Sequence, residues 1–304
     1  MAGLEHIALG CGNFGGIGSA PRFFGQGESE EEAFAIMDSA WALGMRRFDT
    51  ADAYGGGRSE SWIGRWIAAT GRRPAITTKT FNPMEEGADS GLGRERVLRQ
   101  IETSLERLGV DAVDLYLMHE APDVPAGDAV AAFEEVVASG RAHAWGVSNV
   151  DAAQLGDVLA QGRPALVQNS FSLLDPDDDE ELLPLCAEHG IAYQAFGPLA
   201  GGWLTGKYRR GDSYPAGSRM TQRPEGYRRF EDERVFAGVD RLGEEAERRD
   251  ESMGALGLAW VLSHPAVESV VVGPRRPEHL GLVREALAIS LSAGKRAELR
   301  SLFP

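Results

Sequence analysis

Cysteine is scarce in this chain: Cys11 and Cys186 are the two present in 304 residues. Neither falls in a C-x-x-C or Cys/His spacing, which argues against a zinc or redox centre and fits a reducing, cytoplasmic setting; no metal site is expected. Long apolar runs are also missing, since nothing approaches the ~18 residues of a membrane span. The N-terminus, MAGLEHIALG, has no basic leader, so export is not expected either. Positive charge is in deficit, with 31 Lys and Arg against 46 Asp and Glu and a formal charge of -15. Such a surface repels phosphate backbones and anionic lipid, which disfavours nucleic acid and membranes as partners.

The composition that remains, 43% hydrophobic and 25% charged, can bury a large core and is neither disordered nor coiled-coil. Short apolar runs recur at Ile7–Leu9, Arg47–Asp49, Ala75–Lys79, Leu115–His119, His143–Val147, Leu166–Asn169, Ala192–Phe196 and Ser269–Val272. These read as eight strands. Helical patterns fall between them. Ser29 and Glu32 have the spacing of a capping box, with Phe34, Met37 and Trp41 following as an expected buried face. Val97, Ile101, Leu105 and Leu108 form a stripe that stops at Gly109. Further helices are expected at Ala129–Ser139, Ala152–Leu159, Glu180–Glu188, Arg234–Arg248 and Met253–Leu262.

Eight alternations of strand and helix predict parallel strands with crossover helices, closed into a (β/α)8 TIM barrel. No linker divides residues 1–304, so one barrel domain is expected. The polar stretch Lys207–Glu233 reads as a long excursion above the barrel. Gly10 to Gly15 spell G-x-G-x-x-G, the fingerprint of a different nucleotide-binding fold. That mechanism needs a helix opening at the third glycine, and the glycines and Pro21 that follow preclude one.

The active site of such a barrel lies at the C-terminal ends of its strands. Four polar residues close apolar runs or follow them there: Asp49, Tyr54, Lys79 and His119. Met singly, they read as a helix cap, a loop anchor, a solvated charge and a core histidine. Together they suit carbonyl reduction. Hydride addition leaves an oxyanion, which Tyr54 can protonate if Lys79 lowers its pKa from ~10. At ~4 Å and an effective dielectric of ~20 that attraction is about 4 kcal/mol. Asp49 would hold Lys79, and neutral His119 would orient the carbonyl oxygen.

The segments F-D-T-A-x-x-Y-G-x-G-x-S-E from Phe48 to Glu60, Lys79, and S-L-x-R-L-G-x-D-x-x-D-L-Y-x-x-H from Ser104 to His119 resemble those of aldo-keto reductases. Similarity continues through GVSN (Gly146–Asn149), VQNSFS (Val167–Ser172), AFGPLAGGWLTGKY (Ala195–Tyr208) and VVGPRRPEHL (Val271–Leu280). The resemblance implies a cytoplasmic oxidoreductase that uses NADPH to convert an aldehyde or ketone to an alcohol. Its small-molecule substrate would be walled by Phe14, Phe23, Tyr54, Trp62, Glu120 and the excursion.

The same resemblance assigns the cofactor contacts. Ser148, Asn149 and Gln168 would hold the nicotinamide carboxamide, and Phe196 would stack on the ring. Gly197, Pro198, Leu199 and Gly201 would face the pyrophosphate, with Gly12 and Asn13 in the same set. Lys207 and Arg219 match basic positions of a loop closing over the cofactor. Gly273, Arg275, Arg276 and His279 would take the adenosine end, the two arginines favouring NADP through its 2'-phosphate. Two other readings share these residues: an NADP-binding subunit of the potassium channel β type, and a sugar or polyol dehydrogenase running oxidatively.

Overall fold

The computed structural model describes residues 3–304. Its eight strands are β1 (Ile7–Gly10), β2 (Arg47–Asp49), β3 (Ala75–Thr80), β4 (Val113–Met118), β5 (Ala142–Ser148), β6 (Leu166–Ser170), β7 (Ala192–Phe196) and β8 (Ser269–Val272). Each pairs in parallel with its neighbours in chain order, and β8 pairs with β1 to close the barrel. Between the strands run α1 (Glu30–Leu43), α2 (Arg58–Thr70), α3 (Arg94–Leu108), α4 (Ala126–Ala138), α5 (Ala152–Leu159) and α6 (Leu182–His189). After β7 come α7 (Arg219–Gln222), α8 (Glu233–Arg249) and α9 (Met253–Leu262), and after β8 come α10 (Gly281–Ala288) and α11 (Ala293–Arg300).

Local signals explain where these elements begin and end. The Ser29 hydroxyl accepts from the Glu32 amide and the Glu32 carboxylate accepts from the Ser29 amide, so the capping box is formed. The face that α1 buries overlaps the expected one only at Met37. Ala33, Ile36, Met37 and Ala40 turn inward, while Phe34 and Trp41 are half-buried on the flank. Phe34 and Trp41 instead pack against the edge of the core, and Trp41 meets Trp66 of α2 edge to face at 5.8 Å. In α3 the expected stripe is buried, and Gly109 ends the helix at φ 66° with its amide on the Leu105 carbonyl. Gly64 of α2 lies so close to α3 that a Cβ there would sit 2.2 Å from the Arg107 carbonyl oxygen.

Two loops shape the mouth. After β1 the glycine-rich stretch makes turns and one short 3-10 helix at Pro21–Phe23, and no α-helix starts before Glu30. The excursion at 207–233 is more ordered than its composition indicates, holding α7 and 3-10 turns at Pro224–Gly226 and Arg228–Phe230. It is tied down onto the first loop: Arg219 donates to Asn13 Oδ1 at 2.5 Å, and Arg22 pairs with Glu225 at 3.2 Å. Phe14 is buried in the apolar core, and Phe23, 7% exposed, lies under the Arg22 and Arg223 guanidinium groups.

Candidate active site

β2, β3 and β4 deliver the four residues singled out from the sequence to one place. Asp49 ends β2, and Lys79 stands one residue before the end of β3. His119 follows the last residue of β4, one position beyond the strand. Tyr54 sits in the turn after β2, where Gly55, Gly56 and Gly57 all have positive φ. Only glycine fits at the first of these: a Cβ on Gly55 would approach the Phe14 carbonyl oxygen to 2.5 Å. The Y-G-G-G run therefore fixes the direction in which the Tyr54 ring leaves the backbone.

Lys79 is fully buried, and its Nζ donates to Asp49 Oδ1 at 2.6 Å and to the Thr50 carbonyl at 2.8 Å. The same Nζ lies 5.1 Å from the centroid of the Tyr54 ring. The Tyr54 hydroxyl is 3.4 Å from His119 Nε2, with the two rings edge to face at 5.4 Å. Burial, and then the Lys79 charge, hold the His119 imidazole well below its ordinary pKa, so it is neutral. Burial pushes Lys79 down, but Asp49 and Tyr54 more than offset it, and the net direction is up.

Tyr54 departs from the sequence expectation. Burial raises the phenol above its ordinary pKa, and the opposing pull of Lys79 does not overcome it. Desolvation of a phenolate in this closed corner is the stronger effect. Around neutral pH the phenol therefore carries its proton.

Beneath these groups lies a chain of buried polar side chains that joins Gln168, of the VQNSFS segment, to Gln194 and Ser269, which the motifs did not reveal. Gln168 Nε2 donates to Asp49 Oδ2 and to Gln194 Oε1, each at 2.7 Å, and Gln194 Nε2 donates to Ser269 at 2.9 Å. These residues stand in register on β6, β7 and β8. A glutamine inside the apolar strand Ala192–Phe196 was the signal available for Gln194. Gln168 thus buttresses the Asp49 carboxylate with one end of its amide.

Behind β3 is a second polar cluster. Thr80 donates to Asp52 and Thr78 to Glu60, each at 2.6 Å, while Arg96 and Arg107 approach these carboxylates at 3.8 and 3.2 Å. Burial, aided by the charge of Glu60, pushes Asp52 up to about 7. Asp52 Oδ1 has no hydrogen-bond partner.

The positions expected to touch a cofactor follow the strand ends around the other half of the mouth. Ser148 ends β5 and donates to the Gln168 carbonyl at 2.7 Å, and Asn149 next to it is exposed at φ 55° with its amide on the His119 carbonyl. Phe196 ends β7 half-buried; Gly197, Pro198, Leu199 and Gly201 form the loop beyond it, with Gly197 and Gly201 at positive φ. Gly273 directly follows β8 and is exposed, as are Arg276, His279 and Lys207. Gly12 lies against the Tyr54 ring, and Asn13 is buried beneath Arg219. Arg275 is engaged: its guanidinium bonds Glu28 at 2.7 Å, Gln222 at 2.9 Å and the Gly217 carbonyl.

A strip of backbone and flat side chains across four consecutive strand ends fits an extended dinucleotide. Arg219 Nη1, buried with no acceptor, marks a place where an anion is wanted.

The aldo/keto reductase family profile matches residues 6–303. The chain belongs to the aldo/keto reductase family. Among its relatives is an uncharacterized oxidoreductase, YrpG, of Bacillus subtilis, 33% identical over 92% of this chain and 90% of that protein. A putative voltage-gated potassium channel subunit beta of Schizosaccharomyces pombe is 30% identical over 84% of this chain and 78% of its own length. In structure the chain resembles the glycerol dehydrogenase of Gluconobacter oxydans, with a TM-score of 0.82, 24% identity and coverage of 98% of this chain and 90% of the other. Membership makes it an oxidoreductase of a fold that usually binds a nicotinamide cofactor. No helix among the described residues is long and apolar enough to cross a membrane.

Proposed function

We propose that this aldo/keto reductase is an NADPH-dependent, cytoplasmic reductase of small aldehydes or ketones, with Tyr54 as proton donor. The observation that carries the reading is the contact of the Tyr54 hydroxyl with neutral His119 Nε2 at 3.4 Å, above a buried Lys79–Asp49 pair. When bound in the strip along β5–β8, the reduced nicotinamide supplies the hydride.

The chain's own residues do the rest. The Tyr54 hydroxyl and His119 Nε2 lie 3.4 Å apart, so one carbonyl oxygen beside them receives hydrogen bonds from both. Because His119 is neutral, it orients that oxygen without donating its ring charge. As negative charge grows there, the Tyr54 proton moves from its hydroxyl to the substrate oxygen. Lys79 then stabilises the phenolate left behind, by about 4 kcal/mol at ~4 Å and an effective dielectric of ~20.

A raised Tyr54 pKa is compatible with this role, because the acid must be protonated before the reaction. Asp49 keeps Lys79 charged and placed, and Gln168 keeps Asp49 placed. Ser148, Asn149 and Gln168 hold the nicotinamide carboxamide and Phe196 stacks on the ring, and Lys207, Arg219, Arg275 and Arg276 attract the cofactor's phosphates.

The test is absorbance-monitored oxidation of NADPH, and separately of NADH, with a panel of short aldehydes, ketones and dicarbonyls. Turnover with at least one carbonyl compound is the expected result. Tight NADPH binding with no turnover on any of the panel contradicts an enzymatic role in reduction.

A further inference from the structure

Glu28 has no part in the reaction described above, yet it occupies the middle of the positively charged rim. It is 4% exposed, at the end of the first loop, where its amide donates to the Asn13 carbonyl at 2.9 Å. One carboxylate oxygen accepts from Arg275 Nε at 2.7 Å. The other, Oε2, is buried without a partner. Nearby, Arg219 donates to Asn13 with one nitrogen and leaves Nη1 buried and unpartnered. Burial first, and then the nearby charges of Arg219 and Arg275, disfavour the charge on Lys207.

The site thus holds three converging cations and a carboxylate that satisfies one of them with a single oxygen. A buried donor and a buried acceptor are both left over, and they do not satisfy each other. Such an arrangement is poorly closed by itself and is completed by a ligand carrying acceptor oxygens for Arg219 and a hydroxyl for Glu28. A ribose with free hydroxyls can donate to the Glu28 carboxylate. A ribose 2'-phosphate keeps its 3'-hydroxyl but has lost the 2'-hydroxyl, and its charge repels that carboxylate and has to take Arg275 from it.

We propose that Glu28 is a specificity-determining residue that opposes the 2'-phosphate by holding Arg275, so that the enzyme discriminates between NADPH and NADH less than its arginines alone would allow. The inference rests on the nicotinamide-cofactor reading above. Burial raises the Glu28 pKa, with Arg275 opposing, which marks the carboxylate as costly to keep ionised in this position.

The test is calorimetric binding of adenosine 2',5'-bisphosphate and adenosine 5'-monophosphate, which differ only in the 2'-phosphate, to wild type and Glu28→Gln. Wild-type binding of NADPH and NADH is measured first by quenching of protein fluorescence; failure to bind either overturns the cofactor reading itself. With that binding established, Glu28→Gln is expected to raise the preference for the bisphosphate by about tenfold, the scale of one charge-assisted contact.

Gln222→Ala removes another tie between Arg275 and the excursion while keeping the carboxylate, and is expected to leave the ratio unchanged. If Glu28→Gln does not fold, Glu28→Asp retracts the charge by one methylene and is expected to move the ratio the same way. An unchanged or lowered preference in the folded Glu28 variant overturns the proposal, as does an equal rise in Gln222→Ala.

Discussion

Replacing Asp49 by Asn removes the anion from a pair sealed against solvent. The Lys79 and Asp49 side chains are 1% and 5% exposed and meet at 2.6 Å. In the variant Lys79 keeps the Thr50 carbonyl as a polar partner, but no countercharge in contact with it. An ion pair at ~4 Å with an effective dielectric of ~20 interacts by about 4 kcal/mol, which corresponds to a fall of at most ~3 units in the Lys79 pKa. Removing one partner of a buried pair typically destabilises by about 3–5 kcal/mol.

The pH dependence has a definite sign. In the wild type the folded-state pKa of Lys79 is raised, so its contribution is fully present below the unfolded value of ~10.4 and is lost as pH rises through the folded value. In Asp49→Asn burial acts unopposed by Asp49, the folded pKa drops below the unfolded one, and the variant recovers stability as pH rises toward ~10. Urea unfolding at pH ~7 and ~9 measures both. The expected outcome is a loss of about 3 kcal/mol at the lower pH and a smaller loss at the higher. A loss under ~1 kcal/mol at neutral pH, equal at both, refutes the reasoning, since it means that Lys79 carries no buried charge dependent on Asp49.

Other outcomes follow from the same geometry. Asp52, raised to about 7 by burial and by Glu60, binds its proton more tightly in the folded than in the unfolded state. It therefore lowers stability by up to about 1.4 kcal/mol per pH unit as pH rises from ~4 to ~7, and Asp52→Asn is expected to flatten that slope in unfolding melts. His119 is held neutral by burial and by Lys79, so its ring proton resonances are expected to stay constant in NMR spectra between pH ~5.5 and ~8. A titration with a midpoint near ~6.5 would sink that assignment. Gly64→Ala places a methyl against the Arg107 carbonyl and is expected to destabilise by about 1–3 kcal/mol in thermal melts.

Much of the barrel was legible because its evidence is periodic. All eight strands appear where short β-branched runs fall between amphipathic segments, three with the expected bounds and five with ends shifted by one or two residues, as at Val113–Met118 and Ala142–Ser148. The helices α2, α10 and α11 were not singled out, though Arg58–Thr70 carries a clear apolar face. The buried face of α1 is only partly legible: Met37 is fully buried as its spacing implies, but Phe34 and Trp41 are half-buried, because Ala33, Ile36 and Ala40 take the rest of the inward face. The excursion was read as irregular, since ties such as Arg219–Asn13 bridge some two hundred residues of sequence and leave no local pattern.

The candidate site divides in the same way. Asp49, Tyr54, Lys79 and His119 were legible because each closes or follows a strand, and the structure brings them together. The Gln168–Gln194–Ser269 chain and the Glu28–Arg275 pair depend on register and long-range contact, which spacing does not encode. The sign of the Tyr54 shift was missed for a related reason: a pairwise attraction can be anticipated from residue types, whereas desolvation depends on how deeply the ring is enclosed.

Tyr54→Phe removes one hydroxyl and keeps the ring over Lys79, so it isolates the proton that the account assigns to the oxyanion. Single-turnover carbonyl reduction, measured beside NADPH affinity from fluorescence quenching, is expected to slow by about a hundredfold or more with affinity changed less than about threefold. Wild-type turnover in the variant contradicts the central claim.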